Sequence, residues 1–260
     1  MAWTLLACQF ALELGFGVLL ALAFVPRAPV GVLFYRLMGT TAALPIGAAL
    51  WLRLRAGGEW TEPASLGALV ALAGYPLYSG AVRGASWWVG LGLGLIGCGG
   101  AAAVVVGEGL ADLGLFGQSV ATLSALATGT VAGSVGLAMV LGHWYLTVPK
   151  LEIHYLQRLN RVTVAAMLAS GGLFGLSLWL FSATLATSQP SLFDPFGLFY
   201  LGTRVAVGLA LPLVFAAMAA SSLRFKNTRS ATGILYASTV LVLIGTAVSV
   251  FLQDSYRVPL

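Results

Sequence analysis

Charge is what this chain lacks. Of its 260 residues, eight are acidic and 13 are Lys or Arg, so charged side chains make up 8%. A soluble protein carries about 25%. So few charges cannot cover the surface of a globule in water. The composition excludes a soluble enzyme, a disordered chain and a nucleic-acid-binding domain. Cysteine is nearly absent too. Cys8 and Cys98 both sit in apolar runs, which excludes a disulfide framework and a zinc cluster. There are two histidines, His143 and His154. Two axial histidines on facing helices are what a transmembrane b-type haem needs, and His154 falls in a loop, so no intrinsic haem is expected. No phosphate-binding loop, nucleophile elbow or Cys-x-x-Cys pair occurs.

What is present is apolar text: 59% of residues are hydrophobic and the mean hydropathy is +0.96. A membrane-crossing helix needs about 20 mostly apolar residues. Eight such runs are expected, over Trp3–Val25, Gly31–Leu52, Ala64–Val82, Trp87–Val106, Gln118–Thr147, Val162–Ser182, Phe196–Ala220 and Ala231–Leu252. Turn or charge signals separate them, among them Pro26-Arg27-Ala28-Pro29, Arg55-Ala56-Gly57-Gly58 and Lys226-Asn227-Thr228-Arg229. The expected fold is an all-α integral membrane bundle of eight helices, a single transmembrane domain over residues 1–260. The first run has no basic segment before it and is too long for a cleaved signal, so Met1 or Ala2 should begin the mature chain.

With eight crossings, both termini share one side. That side carries Arg53, Arg55 and Arg257. The other side carries Arg27, Arg36, Arg83, Lys150, Arg158, Arg161, Arg224, Lys226 and Arg229. Basic loops stay in the cytoplasm. The termini are therefore expected on the periplasmic or exterior side of a bacterial-type plasma membrane. Trp3, Trp51 and Trp179 near one set of helix ends, and Trp87, Trp88 and Trp144 near the other, fit two interfacial belts.

The text also suggests a duplication into residues 1–115 and 116–260. Val25-Pro26-Arg27 is followed ten residues after its Pro by Arg36-Leu37. Val148-Pro149-Lys150 is followed nine residues after its Pro by Arg158-Leu159. Such halves would be related by an axis along the membrane normal. The alternative is chance agreement of apolar text. Small residues repeat at helical spacing at Gly90, Gly94 and Cys98, at Gly129 and Gly133, and at Gly171 and Gly175. These should form packing seams.

Two charges fall inside apolar runs. Glu13 lies roughly 15 Å deep and Arg204 roughly 12 Å from the same side, at 1.5 Å per residue. Either would cost at least about 2.5–3.5 kcal/mol facing lipid. They are expected to form a buried charge pair, either structural or lining a substrate or quinone cavity. Gln9, one turn before Glu13, extends the polar patch. A second cluster, His143, Trp144, Tyr145 and Arg158, holds the densest polar and aromatic text. An imidazole at the membrane interface suits a hydrogen bond to a quinone carbonyl, while an interfacial aromatic belt is the plainer account. The four residues are candidates for quinone or partner contact, and no metal site or catalytic residue is expected.

The reading these features favour is a cofactor-free membrane subunit of a respiratory or photosynthetic electron-transfer complex. It would anchor other membrane subunits and contact a quinone or bound lipid, with no catalysis by this chain alone. Its plan is similar, in architecture only, to the quinol-interacting anchors of molybdopterin oxidoreductases. Two other classes remain open: a small-solute or ion transporter, and a purely structural or assembly subunit. No nucleic-acid partner is expected.

Overall fold

The computed structural model describes residues 2–25, 30–80, 84–148, 151–188 and 191–260. The Pro26–Pro29 turn, Arg83 and the Pro149-Lys150 pair lie outside them. The described residues are helical and contain no strand. In chain order the helices are α1 (Ala2–Leu22), α2 (Gly31–Arg55), α3 (Pro63–Ala73), α4 (Tyr75–Tyr78), α5 (Ala85–Gly109), α6 (Gly114–Thr147), α7 (His154–Leu180), α8 (Ser182–Ala186), α9 (Pro195–Gly202), α10 (Leu211–Arg224) and α11 (Thr228–Tyr256). A π-helical stretch, Thr203–Ala210, joins α9 to α10. Among the described residues, seven helical stretches are long and apolar enough to cross a membrane, and Pro63–Tyr78 is a shorter apolar helix. The chain is a multi-pass membrane protein.

Both irregular stretches have the same cause. Proline has no N–H, and its ring clashes with the carbonyl four residues back. Pro76 directs that clash at Leu72, and the helix breaks at Gly74 between α3 and α4. Pro212 directs it at Gly208, inside the stretch that has widened to π geometry.

Contacts at the helix ends show which ends lie together. At one end of the bundle Arg53, closing α2, bonds both oxygens of Glu108 at 2.6 Å and Glu62 at 2.9 Å. Arg257 reaches the Gly109 carbonyl there at 2.9 Å. At the other end the Trp144 indole donates to Val30 O at 3.1 Å and the Trp87 indole to Tyr78 O at 2.9 Å. Gly67 packs on Gly97 and Gly74 on Gly90, so α3 runs antiparallel to α5.

The helices pack in two sets. In residues 1–115, α1 packs on α2 and α5, and α3 packs on α5 and α2. In residues 116–260, α6 packs on α7 and α11, and α10 packs on α11 and α7. The two sets meet mainly where α1 crosses α6. That crossing has no side chain between the backbones. A Cβ on Gly17 would overlap the Gly129 carbonyl, and one on Gly133 would overlap the Gly17 backbone. In lipid, where no hydrophobic force drives helices together, such close approach supplies van der Waals packing that drives association alongside interhelical hydrogen bonds. The Gly90–Gly94–Cys98 face is also packed, with Cys98 Sγ donating to Leu12 O at 3.2 Å. Gly171 and Gly175 are not. Open space lies beside both, because α7 turns Thr163, Met167, Ser170, Phe174 and Ser177 inward instead.

Candidate functional site

α1, α6, α7, α11 and the π stretch enclose a polar core inside the apolar bundle. Glu13 and Arg204 are both buried, at 1% and 2% exposure. Both border the same stretch of α6, since the Glu13 backbone lies against Gly129 and Arg204 bonds the adjacent Thr128, yet no carboxylate oxygen comes within 4.0 Å of a guanidinium nitrogen. Each is held by neutral groups instead. Gln9 Nε2, one turn earlier on α1, donates to Glu13 Oε1 at 2.8 Å. Gln9 also exchanges two amide hydrogen bonds with Gln253 of α11, at 3.2 and 3.0 Å. Arg204 Nη2 donates to Thr128 Oγ1 of α6 at 2.9 Å and to Ser170 Oγ of α7 at 3.0 Å. Those two hydroxyls are 3.2 Å apart. Glu13 Oε2 and Arg204 Nε, both buried, have no partner.

A narrow space lined by Leu5, Leu6, Gln9, Gln253 and Asp254 adjoins the amide pair. Leu5 and Asp254 also line a larger cavity of about 510 Å³ at the Arg53 end of the bundle. Arg53, Glu62, Glu108 and Arg257 supply its polar walls. Glu13, Gln9 and Gln253 thus form one hydrogen-bonded group inside the bundle, and the narrow space, which Leu5, Leu6 and Leu110 also line, lies between that group and the cavity.

The second predicted cluster is dispersed. His143 is exposed. Trp144 is half-buried, bonded to Val30 O and edge-on to the Phe34 ring at 5.4 Å. The Tyr145 hydroxyl donates to the Glu152 carbonyl, which ties the end of α6 to the start of α7. Arg158 is exposed and lies 6.0 Å over the Phe24 ring. His154 Nδ1 meets Glu152 at 2.8 Å, and its ring stacks on Tyr155. Successive residues on a helix point about 100° apart, which turns His143 and Tyr145 to different faces.

A separate groove of about 600 Å³ opens between α2 and α3–α4. It is lined by Thr40, Leu44, Gly47, Trp51, Leu72 and Tyr75, and the Thr40 and Tyr75 hydroxyls are 2.9 Å apart. Among the described residues no group of His, Cys, Asp and Glu side chains could hold a metal ion.

The fold and this core define a class: an all-helical, multi-pass membrane protein with a buried polar site. Comparison with protein-family models, with curated proteins and with solved structures finds no match for this chain.

Proposed function

We propose that this chain is a proton-coupled transporter of a small solute, with Glu13 as the group that takes up and releases the proton. The observation that carries this reading is the buried carboxyl itself. Glu13 is held by one amide, has one oxygen unpartnered and is linked by Gln9 and Gln253 toward a polar cavity at the bundle end. Ionisable groups this deep in a membrane protein are functional by default, since a structural role is met more cheaply by neutral side chains. A second feature supports it. The third helical stretch of each half is interrupted, at Gly74–Pro76 and at the π turn that holds Arg204. In transporters built from repeats, interrupted helices at corresponding positions line the transport site.

The reading includes eight crossings and two tandem four-helix halves. The eighth crossing is α3–α4. Pro63–Tyr78 spans roughly 24 Å at 1.5 Å per residue, short of the ~30 Å hydrocarbon core. Local thinning of the bilayer would accommodate it. The bias of basic residues assigns the Trp144 end to the cytoplasm of a bacterial-type plasma membrane, and the Arg53 end with both termini to the exterior. Reporter fusions at Leu260 and within Arg224–Arg229 test this: cytoplasmic activity is expected only from the second. Cytoplasmic activity at Leu260 would overturn the orientation.

In proteoliposomes carrying a pH-sensitive dye, the protein should pass protons across the bilayer, and Glu13→Gln should reduce that flux at least tenfold. Equal flux from both proteins would refute the role of Glu13. The groove at Thr40 and Tyr75 favours a second reading, a cofactor-free subunit of an electron-transfer complex with a quinone or lipid in contact. Stable copurification with cytochrome or iron–sulfur subunits, and loss of quinol-dependent activity in His143→Ala within the assembled complex, would favour it instead. Copurification without any such activity would leave an assembly role.

A further inference from the structure

We infer that the solute is a small monovalent anion that moves together with the proton, and that Arg204, Thr128 and Ser170 bind it. The inference rests on the reading of Glu13 as the proton carrier. It begins with the buried charge. Glu13 is the one charged residue of α1. The other elements packed around the core carry their charged residues and histidines toward their ends: His143 on α6, His154, Arg158 and Arg161 on α7, Arg224 on α10, and Arg229 and Asp254 on α11, with Arg257 just past it; their tyrosines are Tyr145 on α6, Tyr155 on α7, and Tyr236 and Tyr256 on α11. Deprotonated Glu13 and Arg204 therefore cancel. Once Glu13 takes a proton, Arg204 is left as an uncompensated buried cation. Leaving one charge of a buried pair alone is strongly unfavourable. An anion at Arg204 restores neutrality, so proton and anion each raise the other's affinity.

The donors around Arg204 suit an anion. The guanidinium is fixed at Nη2 by two hydroxyls of different helices, and its Nε has no partner. Both hydroxyls accept from the guanidinium and lie 3.2 Å apart. Whichever way one donates to the other, the second keeps an O–H to offer. Arg is the side chain best shaped for a planar carboxylate or nitrate-like group. Size is limited by the packing. Gly208 and Gly245 touch backbone to backbone beside Arg204, and a Cβ on Gly208 would stand 3.6 Å from Nη1. Arg204 sits in the π stretch Thr203–Ala210, and such stretches are frequent at functional sites.

The test uses proteoliposomes with the membrane potential clamped by potassium and valinomycin. Inward gradients of chloride, nitrate or lactate, with gluconate as the balancing ion, are applied at equal pH on both sides. At least one should acidify the lumen, because cotransport of a proton with a monovalent anion carries no net charge. Ser170→Ala should raise the half-saturating anion concentration about tenfold, as for loss of one hydrogen bond to a charged group. Arg204→Gln should abolish the anion dependence. If Arg204→Gln does not fold, Ser170→Ala and Thr128→Val decide, and unchanged half-saturation in both overturns the proposal. A proton flux that depends on Glu13 but is indifferent to all three anions overturns the anion assignment and leaves the proton reading standing. Absence of any Glu13-dependent flux removes the reading beneath it.

Discussion

Arg204→Ala should destabilise the detergent-solubilised protein by about 3–5 kcal/mol, the range for removing one member of a buried charge pair. Adding Glu13→Gln should restore a substantial part of that loss. The single change strips two hydrogen bonds from Thr128 and Ser170 and leaves Glu13 as an unopposed carboxylate. The double change leaves a neutral core. Glu13→Gln alone leaves Arg204 an unopposed cation and should cost stability too, but less than Arg204→Ala, since Thr128 and Ser170 still accept from the guanidinium and a glutamine at 13 can still accept from Gln9. Thermal unfolding followed by tryptophan fluorescence checks the order. A double variant no more stable than Arg204→Ala would mean that the two charges do not compensate each other.

Gly133→Leu should be among the most damaging glycine substitutions in the described residues. The α1–α6 crossing brings the Gly17 and Gly133 backbones into contact, and the same crossing joins the two sets of helices. Overpacking a well-filled core costs about 1–3 kcal/mol where side chains can yield. Here a side chain would meet backbone, so the cost lies at or above the top of that range. Gly136→Leu, one turn further along α6, meets open space and should be nearly neutral. Size-exclusion profiles of the two variants should differ sharply: loss of monodisperse protein for Gly133→Leu and a wild-type profile for Gly136→Leu. Matching profiles would show that the seam does not hold the two sets of helices together.

Glu13, Arg204 and the Gly129–Gly133 seam are legible in the sequence because each stands out against its surroundings. A charge amid apolar residues, and glycines four apart, have few uses inside a bilayer. Thr128, Ser170 and Gln253 are not legible in the same way. Hydroxyl residues are frequent in membrane helices and commonly bond the carbonyl one turn back, as Thr122, Thr130, Thr239 and Thr246 do here. Nothing in the local text separates those from Thr128, whose hydroxyl is shared with Arg204 across helices. The same limit explains Gly171 and Gly175. Their spacing matches a seam, but the phase of α7 is set by its neighbours and turns them outward. The text around His143 is dense because two helix ends and their connection meet there. Density along the chain does not bring side chains together when helical rotation separates them.

The central claim is that Glu13 gains and loses a proton inside the membrane. Infrared difference spectroscopy of the reconstituted protein on acidification tests it most directly. A carbonyl stretch of a newly protonated carboxyl is expected, one that shifts in deuterium oxide and is missing from Glu13→Gln. A carboxyl signal that is the same in wild type and Glu13→Gln, or a wild-type spectrum with no such band at any pH the folded protein tolerates, would contradict it.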